Sequence, residues 1–148
     1  MPSIVSYRKV IDEYTTHKLN EPRDAAGAAL TTELCEIDGI TYVSVPDGVV
    51  LPAQPTQITV VAIMLTDALR EQIKAASPHS RLIGQRMIDT IRAAYSIDDE
   101  MYFARIGVGA ANGLYVPAAS EMEELATFGA FVEGVRDWGR SERAKLGL

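Results

Sequence analysis

The feature that most constrains the fold of this chain is the Asp38-Gly39 dipeptide between two runs of alternating apolar and polar residues. A two-residue hairpin loop of this type requires φ > 0 at both positions, and Asp-Gly is among the few dipeptides that accept it. Such a loop pairs Ile37 with Ile40. Two positions further out it pairs Cys35 with Tyr42, so that all four side chains share one apolar face. The sequence therefore predicts an antiparallel β-hairpin of fixed register.

The segments around this hairpin give further predictions for the first 65 residues. Apolar residues between Ile4 and Tyr14 recur at helical spacing, which predicts an amphipathic N-terminal helix. Pro46-Asp47-Gly48 predicts a second turn, and the prolines that follow it predict a linker. The β-branched run from Ile58 to Met64 predicts a buried strand.

Residues 66–148 carry the signals of helix starts. Thr66 is a candidate N-cap, and Ser77 followed by proline is a second one. Two further starts have the spacing of a capping box, Ser96 with Asp99 and Ser120 with Glu123. The last helix is expected to end near Lys145, and the stretch 107–113 is expected to break the helical pattern.

These patterns predict an α+β protein, with a small antiparallel β-hairpin region followed by a helical C-terminal half. The expected division is an N-terminal helix plus a small antiparallel β region in residues 1–65, and a helical region in residues 66–148. The two regions can also form one compact domain, since 148 residues are enough for a single core.

Charge and cysteine content restrict the classes of partner. The net charge is −6 and the pI is about 4.9, which disfavours nucleic acid because phosphate contacts need a concentrated basic face. No apolar run approaches the roughly 20 residues of a membrane-spanning helix. The single cysteine allows no intrachain disulfide and fits a reducing compartment. We expect a protein made in the cytosol, without cofactor, metal, nucleic acid or membrane partner.

Three groups of residues are candidates for an anion-binding, metal-binding or catalytic site. The glycines of Gly107–Gly113 could approach an anion, but their spacing is not the dinucleotide-binding pattern and favours a connecting loop. The acidic residues at positions 98–100 and 121–124 lie at predicted helix starts, where the helix macrodipole favours carboxylates. His17 and His79 have no partner at a recognisable nucleophile or metal spacing. A small enzyme that uses the acidic groups or the glycine loop stays an alternative.

A second alternative is a helix-turn-helix regulator between Thr66 and Arg92. Its second helix would present four side chains suited to DNA, namely Arg81, Gln85, Arg86 and Arg92. A proline in the turn is unusual, and neighbouring acidic residues offset part of the basic charge.

The last helix is the strongest candidate for an interaction surface. Its large apolar side chains are of the kind that dominate interfaces, and three interior glycines each cost a helix roughly 1 kcal/mol relative to alanine. Such a helix relies on packing, against this chain or against another. The candidate partner-binding residues are Leu125, Phe128, Phe131, Val132, Val135 and Trp138.

Three strings in this half resemble small proteins encoded among the tail genes of tailed phages and prophages. They are the run Leu65–His79, the step Tyr95–Glu100, and the ending Val132–Arg140 with Leu146–Leu148. The resemblance covers Ile58 to Leu148 and includes no catalytic signature. It implies a non-enzymatic tail or tail-fibre accessory, structural or assembly protein that contacts a tail or fibre component or another copy of itself. It also implies a place in the bacterial host cytoplasm or in a virion.

Overall fold

A computed structural model describes all 148 residues and contains four β-strands followed by four α-helices. The strands are β1 (Ser3–Tyr7), β2 (Thr32–Ile37), β3 (Ile40–Val45) and β4 (Val61–Ile63). The helices are α1 (Asp67–Ala76), α2 (Pro78–Ala94), α3 (Ile97–Ala111) and α4 (Ala119–Lys145). The predicted α+β class is confirmed, since an antiparallel sheet precedes a helical C-terminal half.

The strands form one antiparallel sheet in the order β2-β3-β1-β4. The β2–β3 hairpin has the predicted register, with Ile37 opposite Ile40 and Cys35 opposite Tyr42. Asp38 and Gly39 have φ values of 50° and 77°, as a turn of this type requires. The turn at Pro46–Gly48 also forms, and the N–H of Val49 donates to the carbonyl of Pro46.

The predicted N-terminal helix is wrong, because residues 3–7 form the strand β1 between β3 and β4. Both faces of this strand are covered, so consecutive residues from Ile4 to Tyr7 are buried. An apolar run that is buried on both faces has no period-2 alternation to distinguish it from a helix. Val10 and Tyr14, which completed the helical spacing, are exposed in the following loop.

Each face of the sheet carries its own apolar cluster. Val5, Val43 and Val45 lie on one face and pack with Leu19 and Ile58 from the connecting segments. The buried strand predicted at Ile58–Met64 is only partly correct, since β4 has three residues, lies at the sheet edge, and is exposed at Val61 and Ala62. Ile58, before the strand, packs in the core.

The opposite face is covered by α1 and by the last residues of the chain. Ile73 of α1 is completely buried in the cluster that contains Leu34, Cys35 and Tyr42. Two leucines that follow α4, Leu146 and Leu148, pack on the same cluster.

Helix α4 ends in a Schellman motif that directs these leucines onto the sheet. The N–H of Leu148 donates to the carbonyl of Arg143, and the N–H of Gly147 donates to that of Ala144. Gly147 has a φ of 78°, and a Cβ there would lie 3.2 Å from the carbonyl oxygen of Pro2. Glycine is required at this position for both reasons.

The chain divides into two compact units at a different place from the predicted boundary after residue 65. The sheet unit comprises Met1–Ile83 with Ser141–Leu148, and the helical unit comprises Gly84–Arg140. Helix α1 and the first residues of helix α2, up to Ile83, therefore belong to the sheet unit. The cause is the packing of α1 on β2 and of the C-terminal leucines on the sheet.

Replacing Ile73 with alanine tests the role of α1 as a cover for the sheet. Ile73 is fully buried, so Ile73→Ala is expected to lower the free energy of unfolding by about 2–5 kcal/mol. Urea denaturation at 25 °C measures the change, with exposed Val50→Ala as the control. Equal stability of the two variants would contradict the packing described for this face.

Candidate protein-binding surface of the helical unit

The helical unit buries few apolar side chains for its 57 residues. Phe103, Ile106 and Val135 are its only buried apolar residues besides Gly139, whereas the sheet unit buries twelve. Large apolar side chains instead remain at its surface, such as Met101 at 66% exposure and Val108 at 61%. A contiguous exposed apolar surface of this kind marks an interaction site in many proteins.

An aromatic cluster forms the centre of the helical unit. Phe128 of α4 stacks on Phe103 of α3, with ring centroids 4.8 Å apart. Tyr95, which lies between α2 and α3, meets Phe128 edge-on at 5.0 Å and Phe131 at 5.4 Å. Each such pair contributes about 0.5–1.5 kcal/mol beyond the area that it buries. These contacts hold α4 against the other helices of its own unit.

The six predicted partner-binding residues lie on one broad face of α4 but divide between two grooves. Leu125, Phe128 and Val132 line a groove of about 710 Å³ together with α3 residues that include Met101 and Val108. We call this the α3 groove. Its only charged lining residue is Glu100, which is paired with Arg92 at 2.6 Å.

Phe131, Val135 and Trp138 line the other groove, of about 490 Å³. We call this the α2 groove, since Thr90 of α2 forms its far wall. Val135 is buried at its base, and Trp138 is 38% exposed at its edge. The six residues therefore contribute to packing within the helical unit and also leave apolar surface exposed to solvent.

The glycines of α4 differ in what surrounds them. A Cβ at Gly139 would lie 2.3 Å from the Sδ atom of Met87, so this glycine allows α2 and α4 to approach closely. Cβ atoms at Gly129 and Gly134 would meet nothing within 4 Å. Packing within the chain therefore explains the glycine at position 139 but not those at positions 129 and 134.

Glu121 fixes the connection between α3 and α4. Its carboxylate accepts hydrogen bonds from the Tyr115 hydroxyl at 2.5 Å and from the Ala118 N–H at 2.7 Å. The Tyr102 hydroxyl donates to the same carboxylate at 3.4 Å. The bond from Tyr115, followed by that from Ala118, lowers the pKa of Glu121. The capping pair predicted at Ser120 and Glu123 is wrong, because the helix begins at Ala119 and it is Glu121, in the first turn, that accepts the N–H of Ala118 just before the helix.

The expected loop at Gly107–Gly113 is helical as far as Ala111, so this prediction is also wrong. Gly107 and Gly109 lie in α3 at points of close packing, and a Cβ at Gly109 would lie 3.2 Å from the Cβ of Tyr115. Only Gly113 has a positive φ, of 67°, and it forms a second Schellman motif with Leu114. These glycines serve helix packing and helix termination.

The acidic residues at the start of α3 cap that helix, as the macrodipole interpretation predicts. Ser96 and Asp99 form a complete capping box, and the hydrogen bonds from Ser96 lower the pKa of Asp99. Glu100 pairs with Arg92. No group of three or more His, Cys, Asp or Glu side chains lies close enough to hold a metal ion.

The residues of the helix-turn-helix alternative lie on α2, where all four are exposed. A single residue, Ser77, separates α1 from α2, whereas the turn of that motif contains three to four residues. Gln85 donates to Asp89 at 2.8 Å.

The remaining candidates lie apart from the helical unit. His17 follows β1, and His79 occupies the first turn of α2. Cys35 is buried in the sheet, where burial and the neighbouring Glu33 raise the pKa of its thiol. No helix has the combination of length and hydropathy that crossing a membrane demands.

A comparison with protein families, with curated proteins and with solved structures finds no match to this chain.

The glycines of α4 give a matched test of the described packing. Gly129→Ala is expected to raise the free energy of unfolding by about 1 kcal/mol, because alanine favours the helix and meets no neighbour. Gly139→Ala is expected to gain less than Gly129→Ala, because the new methyl group must displace the flexible Met87 side chain. Urea denaturation compares the two variants. An equal gain from both would show that α2 and α4 do not approach at Gly139.

Glu121 predicts a pH dependence of stability. A carboxyl group whose pKa is lowered on folding stabilises the protein above its unfolded pKa, and this contribution is lost as the pH falls through the folded value. Glu121→Gln is therefore expected to lower the Tm at pH 7, and the deficit should shrink toward zero below about pH 4. Scanning calorimetry at each pH measures the Tm of Glu121→Gln and of the control variant Glu123→Gln. A deficit that is unchanged at pH 3 would contradict the assigned role.

Proposed function

We propose that this chain is a non-enzymatic tail or tail-fibre accessory protein of a tailed phage or prophage, which acts in assembly or structure through protein–protein contacts of its helical unit. The observation that carries the proposal is the pair of apolar grooves that α4 leaves open. The phage context comes from the resemblance in the strings Leu65–His79, Tyr95–Glu100, and Val132–Arg140 with Leu146–Leu148. The protein would work in the host cytoplasm or as part of the particle.

The α3 groove is the better fit for a tail or fibre component. It is the larger of the two grooves, and its lining is almost entirely apolar. An amphipathic helix that places residues at i, i+3, i+4 and i+7 into such a groove is a common mode of recognition. Burial of Met101 and Val108, both mostly exposed in the isolated chain, would supply the hydrophobic gain.

Substitutions at the α3 groove test this proposal. Met101→Glu and Val108→Glu each place a charge on the groove, and both side chains are exposed, so the fold should tolerate them. The chain is co-expressed with each tail-gene product of the genome that encodes it, and complexes are isolated by affinity purification. One tail or fibre component should co-purify with the wild type and be reduced at least about tenfold by either variant.

Met64→Glu is the matched control, since Met64 is 92% exposed in the sheet unit and should leave binding unchanged. Deletion of the gene should also leave particles with absent or defective tails. Normal tails after deletion, or the absence of any bound tail component, would refute the proposed function.

A further inference from the structure

We propose that Asn112 is a site of spontaneous deamidation, in which the backbone nitrogen of Gly113 attacks the side-chain amide and water completes the reaction. Asn112 and Gly113 are both exposed, at the point where α3 ends. Asparagine is among the thermolabile residues, and a following glycine has no Cβ to shield the attacking nitrogen. The inference concerns the chemistry of one peptide unit and does not depend on the proposed function.

The reaction conserves atoms and needs no reagent other than water. Hydroxide removes the proton of the Gly113 N–H, and the nitrogen forms a bond to Cγ of Asn112. The Cγ–Nδ2 bond then breaks, and Nδ2 leaves as ammonia after it takes a proton from water, which regenerates the hydroxide. Water opens the resulting cyclic succinimide at either of its two carbonyl carbons. Opening at one carbon gives aspartate, and opening at the other gives isoaspartate, which has an additional methylene group in its backbone.

The chain contains one other asparagine, Asn20, which differs in the residue that follows it. Glu21 follows Asn20, and its side chain shields the backbone nitrogen that would attack. Asn20 is also held by a distant segment, since its side-chain amide donates to the carbonyl of Ala53 and its N–H donates to Gln54, both at 2.8 Å. Asn112 is therefore the asparagine at which the reaction is expected.

The last turn of α3 sets how fast Asn112 reacts in the folded chain. Asn112 has a ψ of 5°, which places the nitrogen of Gly113 beside the nitrogen of Asn112 and away from its Cβ. Ring closure therefore requires a rotation about ψ. The rotation breaks the hydrogen bond of 3.2 Å from the Gly113 N–H to the carbonyl of Ala110, and with it the bond from Leu114 to Gly109. An exposed helix end opens locally at a low cost in free energy, so the turn slows the reaction without preventing it.

The products change the end of α3. The side-chain amide of Asn112 donates to the carbonyl of Val108 at 2.8 Å. A carboxylate cannot donate this bond, and its charge lies at a helix C-terminus, where the macrodipole disfavours anions. Isoaspartate also lengthens the backbone before Leu114, so the Schellman hydrogen bonds of this turn lose their register. Both products should therefore weaken the connection between α3 and α4.

Peptide mapping of the folded full chain during incubation at about pH 8 tests the proposal. Trypsin places the two asparagines on different peptides, since it cleaves after Lys18 and after Arg105. The Asn112 peptide should take up the mass change of an amide converted to a carboxyl group at least about tenfold faster than the Asn20 peptide. A sample unfolded in urea gives the reference rate without the helix turn. An Asn112 peptide that keeps its mass while the urea sample converts, or that converts no faster than the Asn20 peptide, would overturn the proposal.

The variant Asn112→Gln separates this modification from other effects of incubation. Glutamine has a longer side chain and would have to close a larger ring, so conversion at this position should stop. Incubation should lower the Tm of the wild type and leave the Tm of Asn112→Gln unchanged. Asn112→Asp should have a lower Tm than the wild type without incubation, because it carries the charge of one product. An equal loss of Tm by the wild type and Asn112→Gln would overturn the assigned effect on α3.

Discussion

The scarcity of buried apolar side chains in the helical unit is the constraint on which the account of this protein depends. Phe103, Ile106 and Val135 are buried there, and the stacked ring of Phe128 joins α4 to them. Tyr95 contacts both Phe128 and Phe131, and Gly139 of α4 packs against Met87 of α2. The remaining apolar residues of α4 and α3 line two grooves that are open to solvent.

The sheet unit and the helical unit differ in how their apolar residues are packed. The sheet unit has an apolar cluster on each face, and α1 and the leucines after the Schellman motif of α4 complete one of them. This unit has an opening of its own, of about 470 Å³, whose lining includes the polar residues Arg8, Gln57 and Thr59.

Sequence reasoning was accurate where the signal is local. The φ > 0 demand of Asp38-Gly39 fixed the hairpin register, and Thr66, Ser77 and Ser96 marked real helix starts. It was wrong where tertiary contacts, rather than the local sequence, determine the secondary structure. Ile4 and Tyr7 have helical spacing but lie in a strand that is covered on both faces, and Gly107 and Gly109 lie inside α3 although glycine disfavours a helix interior. The six α4 residues were predicted to bind a partner, and this stays a prediction. Their division between two grooves depends on where α2 and α3 lie, which no periodicity within α4 reveals.

Met101 and Val108 line the α3 groove and are both more than half exposed. The most direct measurement is the fluorescence of ANS, a dye that binds exposed apolar surface, in the presence of the folded chain at pH 7. The account predicts that the wild type enhances ANS fluorescence, that Met101→Glu combined with Val108→Glu reduces the enhancement, and that Met64→Glu does not. No enhancement by the wild type, or an equal enhancement by all variants, would contradict an open apolar groove on the helical unit.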